Sequence, residues 1–333
     1  MEVNQDRIIS FAAGFQYAKI LLTANELGIF RLVAKGSMSS DDVAKTLRLD
    51  PEATAMLMGA LVGLGLMSRR AGKFKNAPDV VKYLTDEAEP GEGMYCIATH
   101  MNHMYDSWNR LGDIVKKGRP KKLPPPKVIL DKKKNREFIC GMFEIGFGTA
   151  KLLAEKLDLK GVGKMADIGG GPAQFPIAFA AKNPDTKFVV ADYPNTLNVA
   201  REYVKKYGLA DRIKLAKCEF FGPGELGIGD GYDMALLSQV LHAESDKKAV
   251  ELIAKTYRIL KPGGRIVINE NARNKDGMSP PPPMIFAINM LVNNFGRTFR
   301  VDELEGWLKE AGFKGVKTMR LHERAVVVEG RKP

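Results

Sequence analysis

Apolar residues recur at helical spacing through residues 8–32, so the chain opens on a long helix. Ser39-Ser40-Asp41-Asp42 has the composition of a helix start and predicts a short helix through Leu47, and Asp50-Pro51-Glu52 opens another that runs to Leu64 or Leu66. Residues 68–74 read as a small β-wing and 79–84 as a further short helix, which completes a winged-helix-like order. Longer helical patterns cover 94–115 and 138–157. From Met165 the pattern changes. Short apolar runs at 165–168, 188–192, 213–216, 232–237 and 265–270 alternate with helical stretches at 175–181, 196–207 and 246–260. Lys261-Pro262-Gly263-Gly264 reads as a sharp turn, and Pro280 to Pro283 as a rigid loop ahead of a helix carrying Asn289 to Asn294. A last helix spans 301–311, and the β-prone runs 316–321 and 325–329 predict an antiparallel hairpin. The expectation is an α/β fold with a doubly wound sheet and a reversed strand, preceded by a helical domain. Residues 1–100 and 101–333 form the two domains.

Composition alters this picture little. The 333 residues are 45% hydrophobic and 27% charged, which is ordinary for globular chains. No apolar stretch approaches the ~20 residues of a membrane span. The polar start Met1-Glu2-Val3-Asn4-Gln5-Asp6 lacks the basic-then-apolar order of a signal peptide, and three cysteines do not make a disulfide framework. A cytoplasmic location follows as an expectation. The net charge of +12 is local: residues 116–136 hold ten Lys or Arg against the single acid Asp131. That segment reads as a solvated, proline-punctuated connector.

The winged-helix order raises DNA binding as a rival function. Between Asp50 and Met67 there is no Lys or Arg, whereas a helix entering a groove needs donors to phosphates and base edges. No nucleic-acid partner is therefore expected. Cys96, His100 and His103 share one helical face at i, i+4 and i+7, a spacing that allows metal ligation. Their neighbours Met101, Met104 and Trp108 favour a surface facing substrate or another domain, so no metal is assigned. His100, Met104 and Phe143 are candidates to line a substrate site.

The chemistry concentrates at the first sheet unit. Asp167 is followed by Gly169-Gly170-Gly171-Pro172-Ala173, and Asp192 ends the next strand 25 residues on. A dinucleotide loop wants a third glycine where Gln174 stands, and an acid at Asp167 suits no pyrophosphate. It suits a ligand with an amino group and no phosphate. S-adenosylmethionine fits: glycines Gly169 and Gly171 admit the backbone, Asp167 attracts the amino end, and Asp192 holds the ribose hydroxyls. Glu219 and Phe220 follow the third strand, where an adenine would lie. His242 and Glu270 follow successive strands on the same edge, where open α/β sheets bind ligands. An imidazole there can deprotonate a hydroxyl, with the carboxylate orienting the ring.

Asp167-Ile168-Gly169-Gly170-Gly171, Asp192-Tyr193-Pro194, Leu241-His242 with Ser245-Asp246, and Lys261-Pro262-Gly263-Gly264 together resemble the S-adenosylmethionine-dependent class I O-methyltransferases of the caffeate, hydroxyindole and hydroxyneurosporene type. The resemblance covers nearly the whole chain and implies a homodimer joined through the amino-terminal domain, acting on a small molecule and releasing S-adenosylhomocysteine. It places Gly169, Asp192, Glu219, Phe220 and Ser238 at cofactor positions, His242 at the general base, Glu270 beside it, and Met290 and Asn294 against substrate. The chain departs from the family where His242-Ala243-Glu244 replaces His-Asp-Trp, and where Gly296-Arg297-Thr298-Phe299-Arg300 lacks an acid. Residues 157–171 also resemble bacteriochlorophyllide C-methyltransferase, so carbon methylation of a tetrapyrrole or other large aromatic is the alternative reaction. A winged-helix regulator that binds S-adenosylmethionine is the alternative outside enzymes.

Overall fold

The computed structural model describes residues 4–89, 91–120 and 131–333. The chain divides after Asp106 into two units. The first begins with α1 (Gln5–Glu26) and α2 (Ile29–Ala34), which are separate helices where the periodicity predicts one. Gly28 divides them at φ 78°, a left-handed conformation that suits glycine. α3 (Ser40–Leu47) and α4 (Pro51–Gly63) start where expected, because the Ser39 and Asp50 side chains accept from the backbone N–H groups of Asp42 and Ala53. The hairpin β1 (Met67–Arg70) and β2 (Lys73–Asn76), α5 (Pro78–Leu84) and α6 (Tyr95–Trp108) complete the unit. Its core gathers Leu22, Phe30, Val43, Met58 and Phe74.

The second unit begins with α7 (Leu111–Lys117), so the helix expected over 94–115 is broken at Asn109 and Arg110. At the break the Arg110 guanidinium donates to the carbonyls of Ser107 and Val292. Residues 121–130 of the basic segment lie outside the described residues. Its remainder is not all connector: α8 (Lys132–Lys156) starts six residues before the predicted 138, capped by the Asp131 carboxylate on the Lys133 and Lys134 N–H groups.

Then follow β3 (Lys164–Ile168), α9 (Gln174–Ala180), β4 (Lys187–Asp192), α10 (Pro194–Lys206), β5 (Ile213–Lys217) and β6 (Tyr232–Ser238). α11 (Asp246–Ile259) leads into β7 (Leu260–Asn271). The expected turn at 261–264 is absorbed into that strand, because main-chain bonds from Gly263 and to Gly264 hold it against Lys332. α12 (Pro281–Asn293), α13 (Val301–Glu310), β8 (Lys314–Arg320) and β9 (Ala325–Arg331) end the chain. Pro281 to Pro283 form the first turn of α12 and not a loop, since helix N-terminal positions need no backbone N–H.

The sheet order is β5-β4-β3-β6-β7-β9-β8, with β9 antiparallel to both neighbours. This is the expected parallel sheet with a reversed strand and a terminal hairpin. Successive strand residues point to opposite faces, so Met165, Val190 and Leu236 enter one apolar layer, while Ala166, Val189 and Leu237 enter the other. Strand order reverses between β3 and β6, which places a crevice at their carboxyl ends. No helix among the described residues is long and apolar enough to cross a membrane.

Candidate active site

β3 delivers Asp167 to the mouth of the crevice in the interior, 1% exposed. Neither of its carboxylate oxygens has a hydrogen-bond partner among the described residues. Burial, and then the nearby charge of Asp192, push its pKa up to about 8. The glycine turn approaches it as bare backbone: a Cβ on Gly170 would lie 2.6 Å from Asp167 Oδ2. Gly169 and Gly171 hold φ of 68° and 56°, and a Cβ on Gly169 would lie 2.6 Å from Val240 Cγ2. Glycine at 169 thus satisfies both conformation and space.

Asp192 closes β4 and joins the same turn. Its Oδ2 accepts from Gly171 N at 2.8 Å and its Oδ1 from Tyr193 N at 2.7 Å. Burial raises its pKa to about 6, against the pull of those hydrogen bonds. Phe220 is buried beside Tyr193, ring centroids 4.9 Å apart, and Glu219 next to it is exposed. Ser238 ends β6, where its Oγ accepts from Asn269 Nδ2 at 2.9 Å. A buried carboxylate without hydrogen bonds, beside a turn stripped of side chains, fits a cationic amino group and a tightly held backbone neighbour.

His242 stands on a 3-10 turn just beyond β6, and Glu270 near the end of β7 is fully buried. Glu270 Oε2 lies 2.6 Å from His242 Nδ1, while Oε1 accepts from Leu241 N at 2.8 Å and His242 N at 3.4 Å. One carboxylate thus holds both the ring and the turn beneath it. With Nδ1–H donated to a carboxylate, Nε2 carries the lone pair, and it has no hydrogen-bond partner among the described residues. The arrangement can accept a proton at Nε2 and stabilise the resulting imidazolium.

α12 contributes Met290, which is buried, and just past its end Asn294, whose amide nitrogen lies 3.3 Å from Met290 Sδ. One turn earlier, Phe286 meets the His242 ring edge-on at 4.9 Å. Sequence reasoning missed Phe286, although the four-residue step from Asn294 to Met290 continues to it. Phe143 is a correction. Expected against substrate, it is 1% exposed and stacked on Tyr203 at 3.9 Å, inside the layer under α8 and α10. His100 and Met104 lie on α6 of the first unit, where burial followed by the charge of His103 pushes the His100 pKa down to about 4. No group of three metal-ligating side chains is assembled among the described residues.

Comparison with known proteins gives the family. An O-methyltransferase domain model matches residues 108–314, and an O-methyltransferase dimerisation domain model matches residues 9–86. The chain is 28% identical to 3-hydroxy-5-methyl-1-naphthoate 3-O-methyltransferase of Streptomyces sahachiroi, over 94% of this chain and 90% of that protein. It is 26% identical to acetylserotonin O-methyltransferase of Gallus gallus, over 98% of this chain and 96% of that protein. The crystal structure of human N-acetylserotonin methyltransferase in complex with SAM superposes with a TM-score of 0.85 at 25% identity, covering 99% of this chain and 98% of that one.

Proposed function

The chain belongs to the O-methyltransferase family and is a methyltransferase dependent on S-adenosylmethionine, and from that premise we propose that it methylates a hydroxyl of a small aromatic substrate, with His242 as general base. The His242–Glu270 pair carries this reading. Its Nδ1 is committed to a buried carboxylate at 2.6 Å, which leaves Nε2 as the acceptor for the hydroxyl proton. Relatives named for naphthoate and acetylserotonin support oxygen and an aromatic acceptor over carbon methylation.

Asp167, Gly169, Gly171, Asp192, Glu219, Phe220 and Ser238 are the residues proposed to hold the cofactor. When bound, S-adenosylmethionine supplies an electrophilic methyl group and departs as S-adenosylhomocysteine. The unpaired Asp167 carboxylate would meet its amino end, and the Gly169–Gly171 turn would leave room for the adjoining atoms. Asp192 accepts from the Thr196 side chain as well as from its two backbone donors, and its remaining lone-pair capacity would take hydroxyl donors. Phe286, Met290 and Asn294, spaced four residues apart, would form one wall for the acceptor, with Phe286 against the His242 ring. His242 Nε2 removes the hydroxyl proton, and Glu270 balances the charge that appears on the ring. In the amino-terminal unit, the match to a dimerisation domain supports a homodimer.

The test uses N-acetylserotonin and a hydroxynaphthoate as acceptors, chosen from the relatives' substrates. His242→Ala should lose roughly 10²–10⁴ in single-turnover rate while keeping its affinity for S-adenosylhomocysteine. The deficit should shrink as pH rises toward the phenol pKa near ~10, where solvent ionises the acceptor unaided. A mutant that keeps most of its rate at neutral pH ends the general-base assignment and reopens transfer to carbon.

A further inference from the structure

Glu270 fixes His242 from one side. On the other side the turn is met by bare backbone. A Cβ built on Gly296 would fall inside the shell of the His242 carbonyl oxygen, 2.6 Å from the carbonyl carbon and 2.8 Å from Glu244 N. Only a residue without a side chain lets these segments touch, so the backbone at 295–297 bears directly on the His242 turn.

Gly296 is itself held. The Arg119 guanidinium donates from Nη1 to the Phe295 carbonyl at 2.6 Å and from Nη2 to the Gly296 carbonyl at 2.8 Å. These two charge-assisted bonds are stronger than neutral ones, while its buried Nε has no hydrogen-bond partner among the described residues. The next residue, Arg297, reaches both oxygens of Asp246 at 3.0 and 2.8 Å and both of Glu303 at 3.0 and 2.8 Å. Asp246 begins α11 four residues after His242, so Arg297 ties the far end of the same turn. Two arginines thus clamp the strip of backbone on which the His242 turn rests.

We propose that Arg119 is a positioning residue for His242, acting through the carbonyls of Phe295 and Gly296. The imidazole is then held from two sides: Glu270 sets the ring through Nδ1, and the Arg119-held backbone sets the height of the turn. This gives a role to one cation of the basic stretch after α7. Its effect on rate rests on His242 being the base; its effect on the ring does not.

The experiment reads the ring directly. The chain has four histidines, His100, His103, His242 and His322, so protein labelled with ¹⁵N-histidine gives a small set of imidazole signals that His242→Ala assigns. Gly296→Ala, which forces the two backbones apart, shows the signature of a displaced turn. Arg119→Met should shift the Nδ1 and Nε2 signals of His242 in the same direction, and Arg119→Lys should restore them in part. Affinity for S-adenosylhomocysteine should stay within about twofold. Turnover of N-acetylserotonin or a hydroxynaphthoate should fall about tenfold or more, since displacement of a reacting group by ~1 Å can cost ~10²-fold. The same change in a His242→Ala background should add no further loss. Unmoved His242 signals in Arg119→Met, or an equal rate loss in both backgrounds, overturn the proposal. If Arg119→Met does not fold, Arg119→Gln carries the same test. Full turnover by His242→Ala would overturn the base assignment alone, with the ring signals still deciding the role of Arg119.

Discussion

Neither carboxylate oxygen of Asp167 finds a hydrogen bond among the described residues, and burial with the charge of Asp192 pushes its pKa up to about 8. The sign of the resulting pH dependence follows from which form each state prefers. Near neutral pH the ligand-free protein keeps a proton on Asp167, whereas an ammonium neighbour favours the carboxylate. Binding therefore expels that proton, and apparent affinity for S-adenosylhomocysteine should rise between pH ~6 and ~7.5, at most tenfold per pH unit for one proton. Asp167→Asn should flatten the profile, and calorimetry in buffers of different ionisation enthalpy should detect the lost proton release. A flat profile in the parent protein would remove Asp167 from cofactor binding. Stability runs the other way. An acid whose folded pKa lies above its unfolded value of ~3.9 costs nothing below that value and destabilises increasingly from there to about pH 8. Asp167→Asn should therefore raise the melting temperature of the ligand-free protein at pH 8 and leave it nearly unchanged at pH 4.

At the scale of elements, Phe143 shows why one face of a helix cannot be assigned from its own sequence. α8 carries apolar residues toward the sheet layer, and Phe143 packs there on Tyr203 and Phe147. Phe143→Ala should cost ~3–5 kcal/mol in denaturant unfolding, the range for truncating a buried aromatic. It should leave the Michaelis constant for acceptor unchanged; a raised constant at unaltered stability would return Phe143 to the substrate site. The glycine turn, by contrast, was legible, because Asp167 to Gly171 is one contiguous piece whose strand-turn-helix context is local. Asp192, His242 and Glu270 were legible for a related reason: alternating strands and helices put every strand's carboxyl end on one edge. What sequence spacing could not reach was contact between distant segments. Arg119 and Gly296 lie 177 residues apart and meet only because α7 and the stretch after α12 pack in one unit. The proline run at 281–283 misled for a third reason, since prolines that end a helix from within also begin one well.

For the molecule as a whole, α1 presents an apolar face that the fold does not use. The helix buries Leu22, Ala24 and Asn25, while Phe11 and Phe15 are 71% and 59% exposed, with Ile8 beside them. Residues 8, 11 and 15 stand at i, i+3 and i+7 on one helical face. Other large apolar side chains are exposed too, Met56 and Ile285 among them, but here three lie together on one helical face, and a contiguous patch of this kind marks an interaction site. The occupant we assign is a second copy of the chain, because the dimerisation domain match spans residues 9–86 and includes both phenylalanines. In a two-fold dimer each substitution counts twice. Burying one phenylalanine is worth roughly 1.5–3 kcal/mol, so changing Phe11 and Phe15 together removes on the order of 6–12 kcal/mol from the association. That loss would carry a sub-micromolar dimer beyond millimolar dissociation. Sedimentation velocity at micromolar concentration should show the parent as a dimer and Phe11→Glu/Phe15→Glu as a monomer. The cofactor residues all lie in the second unit, so the monomer should bind S-adenosylhomocysteine as the parent does, which separates loss of the partner from loss of the fold. A doubly substituted protein that still sediments as a dimer would place the interface elsewhere on the molecule, and a parent that sediments as a monomer would leave the α1 face without its assigned partner.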